Sequence, residues 1–170
     1  EEGVKTRDKL RILLVNVEAF ATAKVIRYLE AFIHRSNFML AVDESTTIKN
    51  IKAKRTKAVL RLGGSAKYRR ILTGSPITQS PMDLYSQCYF LDKDLLGFDS
   101  YWSFQGRYAI IRQTRMGNHS FQQVVGFRNL EELTDKLHRF AYRVTKEEAL
   151  DLPEKIYTTR HVNLTSDQIK

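Results

Sequence analysis

A chain of 170 residues with 42% hydrophobic content suits one domain with a core of its own, with room for a small appendage. Its single cysteine, Cys88, excludes an internal disulfide and fits a reducing, intracellular setting, and four scattered histidines (His34, His119, His138, His161) offer no zinc spacing. No apolar run approaches the ~20 residues of a membrane-spanning helix, so no membrane partner is expected, while a formal net charge of +9 favours polyanions.

Arg11 to Asn16, carrying Ile12-Leu13-Leu14-Val15, predicts a strand. Glu18 to Arg35 predicts a helix with Val25, Ile26, Leu29, Phe32 and Ile33 on one face. The uninterrupted apolar run Phe38 to Val42 predicts a second strand, buried as parallel strands are. Asn50 to Leu62 predicts a basic helix with Ile51, Ala58, Val59 and Leu62 inward, ended by Gly63-Gly64. Tyr68 to Thr73 predicts a third strand, turning at Gly74-Ser75-Pro76. Ser80 caps a helix that opens on Pro81 and buries Leu84, Tyr85, Cys88 and Leu91. Residues 107 to 127 predict a hairpin with its turn near Gly117-Asn118. Asn129 and Glu132 form a capping box for a helix bearing Leu130, Leu133, Leu137 and Phe140. Tyr142-Arg143-Val144 reads as a short strand, Thr145 with Glu148 as a brief helix ended by Leu152-Pro153, and Ile156 to Leu164 as extended. Strands alternating with helices imply an α/β fold with a parallel sheet. The start at Glu1-Glu2-Gly3 without Met, and a late capping box of Thr165 with Gln168, read as a segment of a longer protein.

The chemistry concentrates at Asp43-Glu44, where the apolar run ends. Open α/β sheets bind ligands beyond the carboxyl ends of their strands. Two adjacent carboxylates there suit nucleotide hydrolysis: one holds Mg2+, directly or through water, and the next acts on the attacking water. A solvated loop after a strand reads the same two residues equally well. Between Glu44 and Asp83 there is no acidic residue, while Lys49, Lys52, Lys54, Arg55, Lys57, Arg61, Lys67, Arg69 and Arg70 fall in that stretch. Such a run attracts phosphate backbones, and nucleic acid is favoured over a merely solvated basic face.

Three segments together resemble the first motor lobe of superfamily 2 helicases, in the Swi/Snf-like branch. Asp43-Glu44-Ser45-Thr46-Thr47-Ile48-Lys49-Asn50 looks like motif II, usually Asp-Glu-Ala-His followed by Lys-Asn; Leu72-Thr73-Gly74-Ser75-Pro76-Ile77 looks like motif III, usually Leu-Thr-Gly-Thr-Pro. Arg143-Val144-Thr145-Lys146 to Leu152-Pro153 is similar to the branch's exit from that lobe, and Val15 to Phe20 resembles the weaker motif Ib. The resemblance implies a partial RecA-like three-layer α/β sandwich with a parallel sheet and a helical and hairpin protrusion. In these terms 1–95 is the C-terminal part of lobe one, 96–140 the protrusion, 141–153 the return to the lobe, and 154–170 a linker into lobe two. ATP and Mg2+ are the implied cofactors, double-stranded DNA and the second motor lobe the implied partners.

The resemblance gives Asp43 the Mg2+ through water and Glu44 the attacking water. It gives coupling to Thr46, Thr73, Gly74 and Ser75, and nucleic-acid contact to Asn16, Lys49, Asn50, Lys52 and Arg55. Two departures stand out. Thr46 replaces the usual His, removing an imidazole link from motif II to the coupling segment, so altered coupling is expected. No Gly is followed by Lys, so the phosphate-binding loop G-x-x-x-x-G-K-[ST] is missing; Gly63-Gly64-Ser65-Ala66-Lys67 has its composition but not its spacing. The chain alone is therefore expected to hydrolyse ATP negligibly. Phe98, Tyr101, Trp102, Phe104 and Tyr108 either grip duplex DNA or form the protrusion's own core, with the core favoured; Arg107, Arg112, Arg115 and Arg128 can still face phosphate. The alternatives to a DNA translocase or helicase are a non-enzymatic basic nucleic-acid-binding module and the motor subunit of a restriction or repair complex. A nuclease is disfavoured, since no spaced Asp/Glu/Lys set surrounds Asp43. The compact motifs suggest the cytoplasm of a bacterial or virus-infected cell rather than a nucleus.

Overall fold

The computed structural model describes residues 10–34, 36–116, 119–149, 151 and 156–160. Two compact units divide it, Glu1–Lys136 and Leu137–Lys170. In the first unit a short 3-10 helix, Val17–Ala21, leads through Thr22 into helix α1, Ala23–Ile33. Strand β1 is Met39–Val42, and a second 3-10 turn, Ser45–Ile48, precedes helix α2, Lys54–Gly64. Strand β2, Tyr68–Ile71, pairs parallel with β1 in the register Met39↔Tyr68 to Val42↔Ile71. This is the expected α/β arrangement with a parallel sheet.

The amphipathic faces assemble one core. α2 buries Thr56, Val59, Leu62 and Gly63, a three-to-four-residue spacing that marks one helical face. Val59 and Leu62 join Phe20, Ile26, Leu29, Val42, Ile48 and Phe90 in a single cluster. Gly63 lies within the last turn of α2 rather than beyond it, and the ring of Phe90 occupies the space its side chain would take. The pair Gly63-Gly64 therefore does not end the helix by a left-handed turn; Gly63 is small because an aromatic ring presses on it.

β1 and β2 alternate between exposed and half-buried positions, with Met39 and Tyr68 60% and 55% exposed. An uninterrupted apolar run thus does not make β1 buried on both faces; Leu40 and Val42 turn to the core and Met39 turns out. The stretch Arg11–Asn16 is irregular rather than a strand. Among the described residues it has no ladder partner; Ile12 and Leu14 point to solvent, Val15 packs on the core, and Arg11 lies 4.9 Å over the Phe32 ring.

Ser80 caps Pro81–Asp83, which runs into helix α3, Leu84–Leu91. α3 buries Leu84, Tyr85 and Cys88 as expected, and Ser86, Gln87 and Phe90 as well. Helix α4, Tyr101–Tyr108, leads directly into the antiparallel hairpin of β3, Ala109–Met116, and β4, His119–Phe127, whose expected turn at Gly117-Asn118 lies outside the described residues. Phe104 and Tyr108 are fully buried and stack with Phe98 and each other at 4.9–5.5 Å, and Phe104 meets Tyr85 of α3 at 5.4 Å. The aromatic cluster is therefore a core, with Trp102, 63% exposed, as its exception.

Helix α5, Leu130–His138, begins differently from its predicted box. Asn129 sits at φ 55 and its amide donates to the Arg107 carbonyl, while the Glu132 carboxylate accepts from Tyr108 at 2.9 Å and from Arg107. Tertiary partners have taken both side chains that a local cap would use. In the second unit, residues 141–145 are irregular rather than a strand. There Thr145 and Glu148 do form a reciprocal box at the head of α6, Lys146–Ala149. Leu152-Pro153, Leu164 and the Thr165–Gln168 box lie outside the described residues. No helix among the described residues is long and apolar enough to cross a membrane.

Candidate functional site

The candidate site lies just beyond the carboxyl ends of β1 and β2. Hydrogen bonding continues past the strands: the Leu72 amide donates to the Val42 carbonyl at 2.9 Å, and the Ser45 amide donates to the Leu72 carbonyl at 3.0 Å. These bonds fix Asp43-Glu44 beside the turn that starts at Leu72. The Glu44 amide donates to Asp43 Oδ1 at 2.9 Å. Glu44 itself adopts φ 47, ψ 57, a left-handed conformation that costs a non-glycine residue roughly 1 kcal/mol. Both carboxylates stay exposed. They form an open ledge, and neither lines the two grooves of about 300 and 400 Å³ that flank the Arg61–Glu30 ion pair.

Behind the ledge the contacts are buried and polar. Ser45 and Ile48 are fully buried. The Ser45 hydroxyl donates to Gln87 Oε1 at 2.6 Å, and Gln87 Nε2 donates to the carbonyls of Pro76 and Asp83, both at 2.8 Å. The Ser86 hydroxyl donates to the Ile48 carbonyl at 2.6 Å. Among the described residues the Thr46 hydroxyl has no hydrogen-bond partner, and its carbonyl accepts from the Lys49 amide. Thr73 and Ser75 are engaged locally: Thr73 Oγ1 accepts from the Ser75 amide, and the Ser75 hydroxyl donates to the Ile77 carbonyl. Gly74 has no atom within 4 Å of a would-be Cβ, so packing in this chain does not demand a glycine there.

Four of the five expected nucleic-acid residues make local contacts within the chain. Asn16 caps Val17–Ala21 by accepting from the Glu18 amide, and that turn packs against α2. Asn50 accepts from the Lys52 amide and shapes the entry to α2. Lys49 reaches the Thr78 hydroxyl and lies 3.7 Å from Asp83. Lys52 lies 5.2 Å over the exposed Trp102 ring. Arg55 is half-buried, and its Nε has no partner among the described residues. Burial alone would raise the Asp83 pKa, but the amides of Gln79, Thr78 and Ser80 and the Thr78 hydroxyl outweigh it and hold the carboxylate below the usual range.

A phosphate cradle needs backbone amides at a helix N-terminus. Gly63-Gly64-Ser65-Ala66-Lys67 instead occupies the C-terminal end of α2, so it does not supply one. The SNF2-related domain family matches residues 5–170 of this chain. The chain belongs to that family. Over 132 residues, 76% of the chain, it is 36% identical to the TATA-binding protein-associated factor BTAF1 of Arabidopsis thaliana. Over 131 residues, again 76%, it is 34% identical to a Drosophila melanogaster protein named as an SWI/SNF-related, matrix-associated, actin-dependent regulator of chromatin, subfamily A-like protein 1. The TATA-binding protein-associated factor MOT1 of Saccharomyces cerevisiae is 34% identical over 159 residues, 91% of the chain. The chain spans only 6%, 16% and 8% of those three relatives. The Swi/Snf-like resemblance is thereby borne out. The expectation of a bacterial or virus-infected cytoplasm is corrected: these relatives come from eukaryotes, and their names refer to chromatin and to TATA-binding protein.

The SNF2-related chain carries a donor set that fits Mg2+. Among the described residues no cluster of three or more His, Cys, Asp or Glu could enclose a metal. Mg2+ does not require one; it keeps most of its waters and takes one or two carboxylates plus phosphate oxygens. The exposed Asp43-Glu44 ledge would supply the carboxylates of such a set. Sequence reasoning missed the parts played by Ser45, Asp83 and Gln87. Asp83 was legible as the third residue after the Ser80 cap, and Gln87 as a polar residue inside the run Leu84 to Leu91.

Proposed function

We propose that this chain is the motif II and III part of the first motor lobe of a DNA-dependent ATPase that translocates on double-stranded DNA. Asp43 would hold Mg2+ through its water shell, and Glu44 would orient and deprotonate the attacking water. The observation that carries this is the carboxylate pair at the tip of β1, bonded through Ser45 to the Leu72 turn at the tip of β2. A domain that only binds phosphate backbones gains nothing from two exposed carboxylates at such a tip. Asn16, Asn50, Lys52 and Arg55 would contact the DNA backbone without reading sequence. Lys49 acts mainly inward, through Thr78 and Asp83. Thr73, Gly74 and Ser75 would pass strain between the nucleotide site and the second lobe. ATP binding requires a phosphate-binding loop and an opposing lobe from elsewhere in the parent protein, so the isolated chain is inactive.

The test is steady-state ATP turnover by the full-length protein, with and without duplex DNA, beside Glu44→Gln. The expected result is DNA-dependent turnover in the parent, a loss of at least about 100-fold in the variant, and none from the 170-residue chain. Tight, salt-dependent DNA binding with no turnover by the full-length protein would instead establish the non-enzymatic binding module.

A further inference from the structure

Motif II and motif III are separate loops in the sequence, yet one side chain of α3 grips both. Gln87 is 1% exposed and uses both ends of its amide: Oε1 accepts from the Ser45 hydroxyl, and Nε2 donates to the Pro76 and Asp83 carbonyls. Its orientation is fixed by chemistry, because two carbonyls can only accept and a flipped amide would face them with its oxygen. Ser45 follows Glu44 directly, and Pro76 closes the turn begun at Leu72. Neither loop can shift by an ångström without stranding a buried polar group, which is costly where water cannot enter. Ser45 stands where the resembled motif has Ala, and Thr46 where it has His; the Thr46 hydroxyl has no partner among the described residues, so the side-chain link runs through position 45 instead.

We propose that Gln87 is a positioning residue that couples the Asp43-Glu44 loop to the Leu72–Pro76 turn, through a Ser45 hydroxyl, Gln87 amide and Pro76 carbonyl relay. The relay rests on the motor function proposed above and specifies how DNA engagement reaches the nucleotide site in this chain. Two further residues brace it at the same helix head: Ser86 holds the Ile48 carbonyl, and Asp83 gathers the amides of residues 78–80 together with Lys49.

The experiment compares full-length wild type with Gln87→Leu, Ser45→Ala and the double variant. Two quantities are read: the ratio of duplex-stimulated to DNA-free ATP turnover, and the thermal midpoint. Gln87→Leu should lower the ratio about tenfold, within the range of site-to-site coupling, and should lower the midpoint. The double variant, with the Ser45 hydroxyl no longer stranded but the Pro76 and Asp83 carbonyls still without the Gln87 donor, should recover part of the midpoint but none of the ratio. A ratio that survives Gln87→Leu, or that returns with stability in the double variant, overturns the relay alone, the second outcome by reducing Gln87 to a packing role. A wild type without any turnover overturns the motor function and the relay together.

Discussion

Gly63 and Gly64 are neighbours in the last turn of α2, but the structure assigns them opposite sensitivities. A Cβ at Gly63 would fall 2.7 Å from Cε2 and 3.0 Å from Cδ2 of Phe90, a ring 2% exposed in the core; at Gly64 nothing lies within 4 Å. Alanine gains roughly 0.5–1 kcal/mol over glycine inside a helix, through backbone entropy and propensity. At Gly64 only that gain operates. At Gly63 it competes with overpacking, which typically costs about 1–3 kcal/mol, because a buried ring cannot swing away as a surface side chain could. Gly63→Ala should therefore lose about 1 kcal/mol net, and the two variants should differ by about 2 kcal/mol. At this chain length that separates their thermal midpoints by about 4–8 °C. Thermal and urea unfolding of both variants measures the difference, and Phe90→Leu added to Gly63→Ala should shrink the penalty non-additively. Equal stability of Gly63→Ala and Gly64→Ala would refute the packing account of α2.

Asp83→Asn should cost about 2 kcal/mol, since the charged carboxylate accepts from three amides and a hydroxyl and attracts Lys49. Because the folded pKa is lowered, the contribution is full above the ordinary value of 3.8 and fades as pH falls below it; urea midpoints of wild type and variant should converge in that acid range, and a constant gap would sink the assignment. Burial pushes the Cys88 thiol up to about 12, so maleimide should label it only in denaturant, and rapid labelling of the folded chain would show α3 to be loosely packed. Trp102 is the single tryptophan and lies exposed beside Lys52. Duplex DNA should change its fluorescence in a salt-dependent manner; an unchanged spectrum at saturating DNA would place this face away from the nucleic acid.

The parts of the fold that were legible in the sequence are those set by local chemistry. The caps at Ser80 and Thr145, the strand over Met39–Val42 and the hairpin all follow from turn residues, hydroxyl caps and apolar runs. The carboxylates Asp43-Glu44 were singled out by motif and strand position together, and they do follow the last residue of β1. The failures share a different cause. Ile12–Val15 is as apolar as β1, but a strand exists only where a neighbouring backbone completes its ladder, and composition does not disclose that neighbour. Asn129 and Glu132 have cap-forming side chains, yet Arg107 and Tyr108 claim them across 22–25 residues of sequence. Gln87 interrupts an apolar helix face, and only its two carbonyl partners and Ser45, none adjacent to it in sequence, account for it.

The two-stranded sheet also bears on how this chain behaves in solution. Each of β1 and β2 pairs along one edge only among the described residues, and beside the open edges lie Met39, Tyr68 and Leu72, all more than half exposed. Unpaired edges flanked by apolar side chains are templates onto which another copy can add strands. The chief brake is repulsion between copies that each carry a net +9. Screening weakens that brake as salt rises. Purification at high salt, the usual means of stripping nucleic acid from a basic protein, thus removes the very repulsion that keeps these copies apart.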